Sequence, residues 1–120
     1  MEETVFDIEM DIELKDLPKV STNKIYGGVH WTTRSKIKTN YTTIIKSQFN
    51  KVFPKNKRYS VAYDFEFRIR PLDITNCSYM IKMIEDVIFE DDTYKIIEKV
   101  TITSKRGIED KVLINVKQNE

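Results

Sequence analysis

The stretch "RYSVAYDFEFRIRPLDITNCSYMIKMIEDVIFEDD", residues 58–92, changes its period halfway along. In its first part Val61, Tyr63, Phe65, Phe67 and Ile69 fall on every second residue, the pattern of a strand with one buried side, and Pro71 closes the run. In its second part Cys77, Met80, Ile81, Ile84, Val87 and Ile88 recur at three- and four-residue intervals, which is an apolar stripe on a helix. Asp73 or Thr75 is placed to cap that helix, and the acids Glu90, Asp91 and Asp92 follow its end.

Working outward, "TVFDIEMDIEL" alternates Val5, Asp7, Glu9, Asp11 and Glu13 against Phe6, Ile8, Met10, Ile12 and Leu14, a half-buried strand with one acidic face. Residues 15–31 carry Pro18 and the Gly27–Gly28 pair and read as a long loop. From Thr32 or Thr33 as N-cap, an amphipathic helix with Ile37, Tyr41, Ile44, Ile45, Phe49 and Val52 on one side runs until before Pro54. Beyond residue 92, "TYKIIEKVTITSK" and "KVLINVKQ" are two further alternating runs, and "RGIED" between them has the length and composition of a hairpin loop. The expected order is β-α-β-α-β-β, an α+β domain spanning 1–120 with helices packed on a mixed or antiparallel sheet.

The totals bound the function. A chain of 120 residues with 32% charged and 40% hydrophobic residues is one globular domain's worth of sequence. No apolar run reaches the roughly 18 residues of a membrane span. The acidic first residues lack the features of a secretory signal, so neither membrane insertion nor secretion is expected. The single cysteine, Cys77, excludes an intrachain disulfide and fits a reducing, cytoplasmic setting. Glycine occurs only at 27, 28 and 107, so no phosphate-cradling glycine motif exists and no nucleotide cofactor is expected. His30 is the sole histidine, and nothing near Cys77 or the serines suggests a nucleophile and base pair.

The net charge of +1 conceals a segregation. Between Leu17 and Tyr63 there is no Asp or Glu, whereas Lys19, Lys24, Arg34, Lys36, Lys38, Lys46, Lys51, Lys55, Lys57 and Arg58 supply ten positive charges. Such a block is either a phosphate-binding face or a solvated Lys-rich surface. Trp31 is likewise read either as a core anchor or as a surface on which a nucleobase or sugar stacks. Asp73, Asp91 and Asp92 are either acids of two unrelated solvated turns or, if they converge, hard oxygen donors suited to Mg²⁺ or Mn²⁺. A helix over about 75–88 is roughly 20 Å long, which separates the two ends within one chain unless the acids lie along the sheet or a dimer interface completes the site.

The segment "LPKVSTNKIYGGVHWTTRSKIK" (17–38), the run Asp73-Ile74-Thr75-Asn76, and "VIFEDD" followed by "TYKIIEKVTITSKRG" (87–107) together resemble the RusA-type Holliday junction resolvases over most of residues 10–107. The resemblance implies a RusA-like fold and a small homodimeric endonuclease, commonly phage- or prophage-encoded, that binds branched DNA and nicks symmetric strands of a four-way junction with Mg²⁺. Carried over by position, Asp73 matches the first acid of the family's Asp-x-Asp-Asn motif, Asn76 its Asn, and Asp91 with Asp92 the later acidic pair. These three aspartates would hold metal, Asn76 would orient a ligand or water, and Lys82 would contact the scissile phosphate. Lys24, Arg34, Lys36, Lys38 and Lys46 would hold the DNA arms. Thr75 stands where the family has its second Asp, and Tyr79 where it has a helix lysine; Lys82 lies one turn further on. The same resemblance allows a junction-binding homologue without cleavage, and an unrelated α+β interaction module is the rival outside it.

Overall fold

The structure, a computed structural model, describes residues 9–119. It is an α+β fold: β1 (Glu9–Lys15), α1 (Thr22–Tyr26), α2 (Trp31–Gln48), β2 (Arg58–Phe67), a 3-10 turn (Ile74–Cys77), α3 (Ser78–Ile88), β3 (Ile97–Arg106) and β4 (Lys111–Asn119). The strands form one four-stranded mixed sheet in the order β1-β4-β2-β3. Strand β4 runs antiparallel to β1 and to β2, while β2 and β3 are parallel.

The periodicities explain the layers. On β2 the alternate residues Tyr59, Val61, Tyr63, Phe65 and Phe67 are buried, and on β4 Val112, Ile114 and Val116 continue the same face. On β1 Ile12 and Leu14 are buried, and Glu9, Asp11 and Glu13 are exposed, as their alternation requires; the part of this strand predicted before Glu9 lies outside the described residues. Helix α3 contributes Met80, Ile81, Met83, Ile84 and Ile88, and α2 contributes Tyr41 and Ile45, so sheet and helices share one hydrophobic core. Phe49, Phe53, Tyr59 and Phe89 close one end of it with ring centroids 5.1–5.9 Å apart.

Several local expectations change. The stretch 15–31 is not loop throughout: Ser21 accepts a bond from the Lys24 amide and begins the short helix α1, which buries Ile25. Helix α2 begins at Trp31 rather than after Thr32 or Thr33, because His30 Nδ1 accepts from the Thr32 amide at 3.2 Å. Strand β2 ends at Phe67; Arg70 has φ 43° and turns the chain, which leaves Ile69 59% exposed.

Neither Asp73 nor Thr75 caps α3. Thr22, from the start of α1, does so: its Oγ1 accepts from the Tyr79 amide at 2.8 Å and donates to the Asn76 carbonyl at 3.2 Å.

The largest correction concerns "RGIED". Strands β3 and β4 do not form a hairpin, because β2 lies between them. The connection instead passes over the end of β2, held by Gly107 N–H donating to the Phe67 carbonyl, Ile108 N–H to Glu66 Oε2, and Arg68 N–H to Asp110 Oδ1. Gly107 permits the approach: a Cβ there would fall 1.8 Å from Glu66 Oε2. Among the described residues no helix is long and apolar enough to cross a membrane.

Candidate nucleic-acid interface

On α2, Trp31, Arg34, Ser35 and Lys38 are spaced at i, i+3, i+4 and i+7 and share one side of the helix. Helix α1 presents Tyr26 beside them, and α3 presents Tyr79 and Lys82, one turn apart. These residues line an open depression of about 420 Å³. Tyr79 is buried and meets Tyr26 edge-on, with centroids 6.1 Å apart and planes at 89°. Tyr26 and Trp31 are 71% and 65% exposed, so Trp31 is not the core anchor it could have been. Its ring lies 5.9 Å from that of His30, tilted by 30°.

An acidic cluster adjoins the depression through Lys82. The Lys82 ammonium lies 2.6 Å from Asp92 Oδ2 and 3.4 Å from Asp86 Oδ1, one helical turn away. The hydrogen bond to Asp92 is the main cause that raises the lysine's pKa. Behind it, buried Glu85 accepts a hydrogen bond of 2.9 Å from the Tyr63 hydroxyl. Burial pushes the Glu85 carboxyl up to about 7; the negative charges of Asp92 and Asp86 act in the same direction, and the Tyr63 bond and Lys82 oppose them. Burial and the neighbouring Glu85 also push the Tyr63 phenol well above its ordinary range.

The remaining predicted site residues have hydrogen-bond partners of their own. Asp73 is exposed at the head of the 3-10 turn, where its carbonyl accepts from the Asn76 amide. Asn76 Oδ1 accepts from the Asn23 amide at 3.1 Å, so this side chain is engaged in holding α1. Asp91 Oδ1 accepts from the Thr93 amide at 3.2 Å and shapes the turn that leads to β3. Among the described residues no group of three His, Cys, Asp or Glu side chains is gathered to hold a metal ion. Of Asp73, Asp91 and Asp92, Asp92 is paired with Lys82.

Of the predicted DNA contacts, Arg34 and Lys38 line the depression and Lys24, Lys36 and Lys46 do not. Lys36 lies about 200° around α2 from Arg34, and Lys46 lies about 18 Å further along the helix. Tyr26 was not singled out from sequence, Tyr79 was noted only as standing in place of a lysine, and the pairing of Tyr63 with Glu85 was not expected; the spacing of Tyr79 to Lys82 and of Trp31 to Arg34 and Lys38 is the signal that could have found the depression. A second open depression, of about 430 Å³, is lined by Lys55, Lys57, Arg58 and Lys95 with Asn56, Ile96, Gln118 and Asn119. No protein-family model matches this chain, and no curated protein matches it.

Proposed function

We propose that this protein acts on four-way DNA junctions as a RusA-type endonuclease, a homodimer that nicks paired strands in a reaction dependent on Mg²⁺ or Mn²⁺. The observation that carries the DNA part of this reading is the depression in which Arg34, Lys38 and Lys82 stand together with exposed Trp31 and Tyr26. Cations supply affinity for phosphates, and the absence of acids from Leu17 to Tyr63 keeps the α2 side of the depression positive. The second basic depression gives another place for a backbone to lie, which suits a branched ligand better than a single short strand.

The cleavage part rests on the resemblance at Asp73, Asn76, Asp91 and Asp92. The carboxylates of a metal centre would come either from along the sheet within one chain or from both chains across the two-fold axis of a homodimer. A two-fold dimer also fits the near two-fold symmetry of a junction. The setting is the cytoplasm, where Cys77 stays a free, buried thiol.

One observation favours a second reading, a homologue that binds junctions without cutting them. Asp92 is paired to Lys82, and Thr75 stands where a second acid is expected. The two readings share the binding step. A native-gel titration of a synthetic junction over a salt series checks it: affinity falls steeply with salt, and R34A/K38A weakens it and flattens the salt slope by about 2. An absence of junction binding at moderate salt would leave an α+β interaction module as the better account.

A further inference from the structure

Trp31 and Tyr26 are large aromatic side chains left mostly in water, at 65% and 71% exposure. Single exposed aromatics are ordinary, but these two border the same depression and share it with Arg34, Lys38 and Lys82. A duplex needs only the cations, because its bases are stacked on each other and its outer surface is phosphate. Exposed rings beside cations are useful to a ligand whose bases are free to stack, since every base has a π-face. The volume of about 420 Å³ lies within the range of pockets that enclose small organic groups.

The surroundings contact the Tyr26 ring and fix the backbone that carries Trp31. Tyr79, itself buried, braces Tyr26 edge-on. Trp31 is the first residue of α2, and its backbone is fixed there because the preceding residue, His30, caps the helix through the Thr32 amide. Arg34 and Lys38 then follow on the same side of α2 at one and two turns from the residue that carries the ring, a rise of about 5 and 10 Å, and about 6 Å from each other. Lys82 reaches the same space from α3.

We propose that Trp31 and Tyr26 form a stacking site for an unpaired nucleobase, with Arg34, Lys38 and Lys82 holding the adjoining phosphates, so that this depression selects single-stranded or locally opened DNA over intact duplex. The inference rests on the DNA-binding reading above and adds the form of DNA that the site takes. In a four-way junction, whose bases are otherwise paired, such a base would become available only where the branch point opens.

Trp31 is the only tryptophan in the chain, so its fluorescence reports on this site alone. The full chain is titrated with an oligothymidylate of about 12 nucleotides, a length within single-strand site sizes, with an abasic strand of equal length, and with a duplex of equal length. The expected result is strong quenching by oligothymidylate, little by the abasic strand or the duplex, and about 5-fold or greater loss of affinity on removing the bases. In a filter or anisotropy assay W31A lowers the ratio of oligothymidylate to duplex affinity about 5-fold or more, and W31F restores most of it. The exposure of Trp31 makes misfolding of these variants an unneeded explanation, and circular dichroism checks this. R34A/K38A instead weakens every DNA ligand. Equal quenching and equal affinity for the three ligands, or an unchanged ratio in W31A, would overturn the stacking site while leaving DNA binding in place. Failure of every DNA to bind would overturn both readings together.

Discussion

Lys82 Nζ lies 2.6 Å from Asp92 Oδ2, which joins the basic depression on α2 and α3 to the acidic turn that follows α3. The pair joins two residues ten positions apart, one on α3 and one in the turn beyond its end. Asp92 is consequently the one member of the Asp91–Asp92 pair that touches the depression's lining.

Breaking this pair has opposite effects on binding according to which partner is changed. Lys82 is half exposed, so the ion pair contributes at most about 1 kcal/mol to stability, and neither K82A nor D92N is expected to unfold the protein. D92N releases the lysine and removes a charge that repels phosphate, and junction affinity is expected to rise several-fold. K82A lowers affinity and reduces the salt slope by about 1. Anisotropy titrations of wild type and both variants at three salt concentrations check these directions; a fall in affinity for D92N would show that Asp92 does not compete with DNA for Lys82.

Glu85 makes stability depend on pH. Its carboxyl has a pKa of about 7 in the folded protein, against an ordinary 4.5, so the folded state holds a proton that the unfolded state releases between these values. Stability from this group is therefore fully present below about 4.5, falls as the pH rises to about 7, and is level above it. The loss amounts to about 3 kcal/mol at most. Glutamine keeps an oxygen for the Tyr63 hydroxyl without the charge. In urea denaturation E85Q is expected to gain on wild type steadily from pH 5 to about pH 7, and a constant difference across that interval would show that Glu85 is not the group responsible.

The long-range cap predicts a stability effect at a residue far from α3 in sequence. Thr22 Oγ1 both accepts from the Tyr79 amide and donates to the Asn76 carbonyl. T22V keeps the shape and removes both bonds, at a cost of about 1–2 kcal/mol, while T22S keeps them and costs well under half of that. Thermal melts of the three proteins, with hydrogen exchange at the first turn of α3, separate the outcomes; equal melting of T22V and wild type would remove Thr22 from the account of that helix.

Much of the fold was legible because alternation reports which residues face the core. Tyr59 to Phe67 and Val112 to Val116 alternate cleanly and are strands, and the stripe from Cys77 to Ile88 lies in the 3-10 turn and α3. Alternation does not report which strand is the neighbour. Crossing β2 from β3 to β4 spans two inter-strand spacings, about 10 Å. The connection 107–110 can cover that distance as readily as it could close a hairpin. Strand β2, with Tyr59, Val61, Tyr63, Phe65 and Phe67 all buried on one face, takes the centre. Strand β3, where Val100 is 41% exposed, takes the edge. Helix α1 escaped notice because a single turn with only Ile25 buried has no measurable period.

The site was legible in part for the same reason. The charge run identified a basic segment, but charge alone has no direction, so Lys36 and Lys46 could not be separated from Arg34 and Lys38 until the orientation of α2 was known. The acids were found as residues and not as a cluster, since their distances depend on how the chain returns after α3. Asn76 has a contact that its motif does not report: its side chain accepts from the Asn23 amide, between segments 53 positions apart.

Cutting is decided with a synthetic four-way junction, end-labelled on each strand in turn and incubated with wild type or with D91N/D92N, with and without Mg²⁺ or Mn²⁺, then resolved on denaturing gels. Metal-dependent nicks are expected at symmetric positions on two opposing strands, and they vanish in the double variant. A junction that is bound but never cut under any of these conditions would contradict the endonuclease and leave the binding homologue in its place.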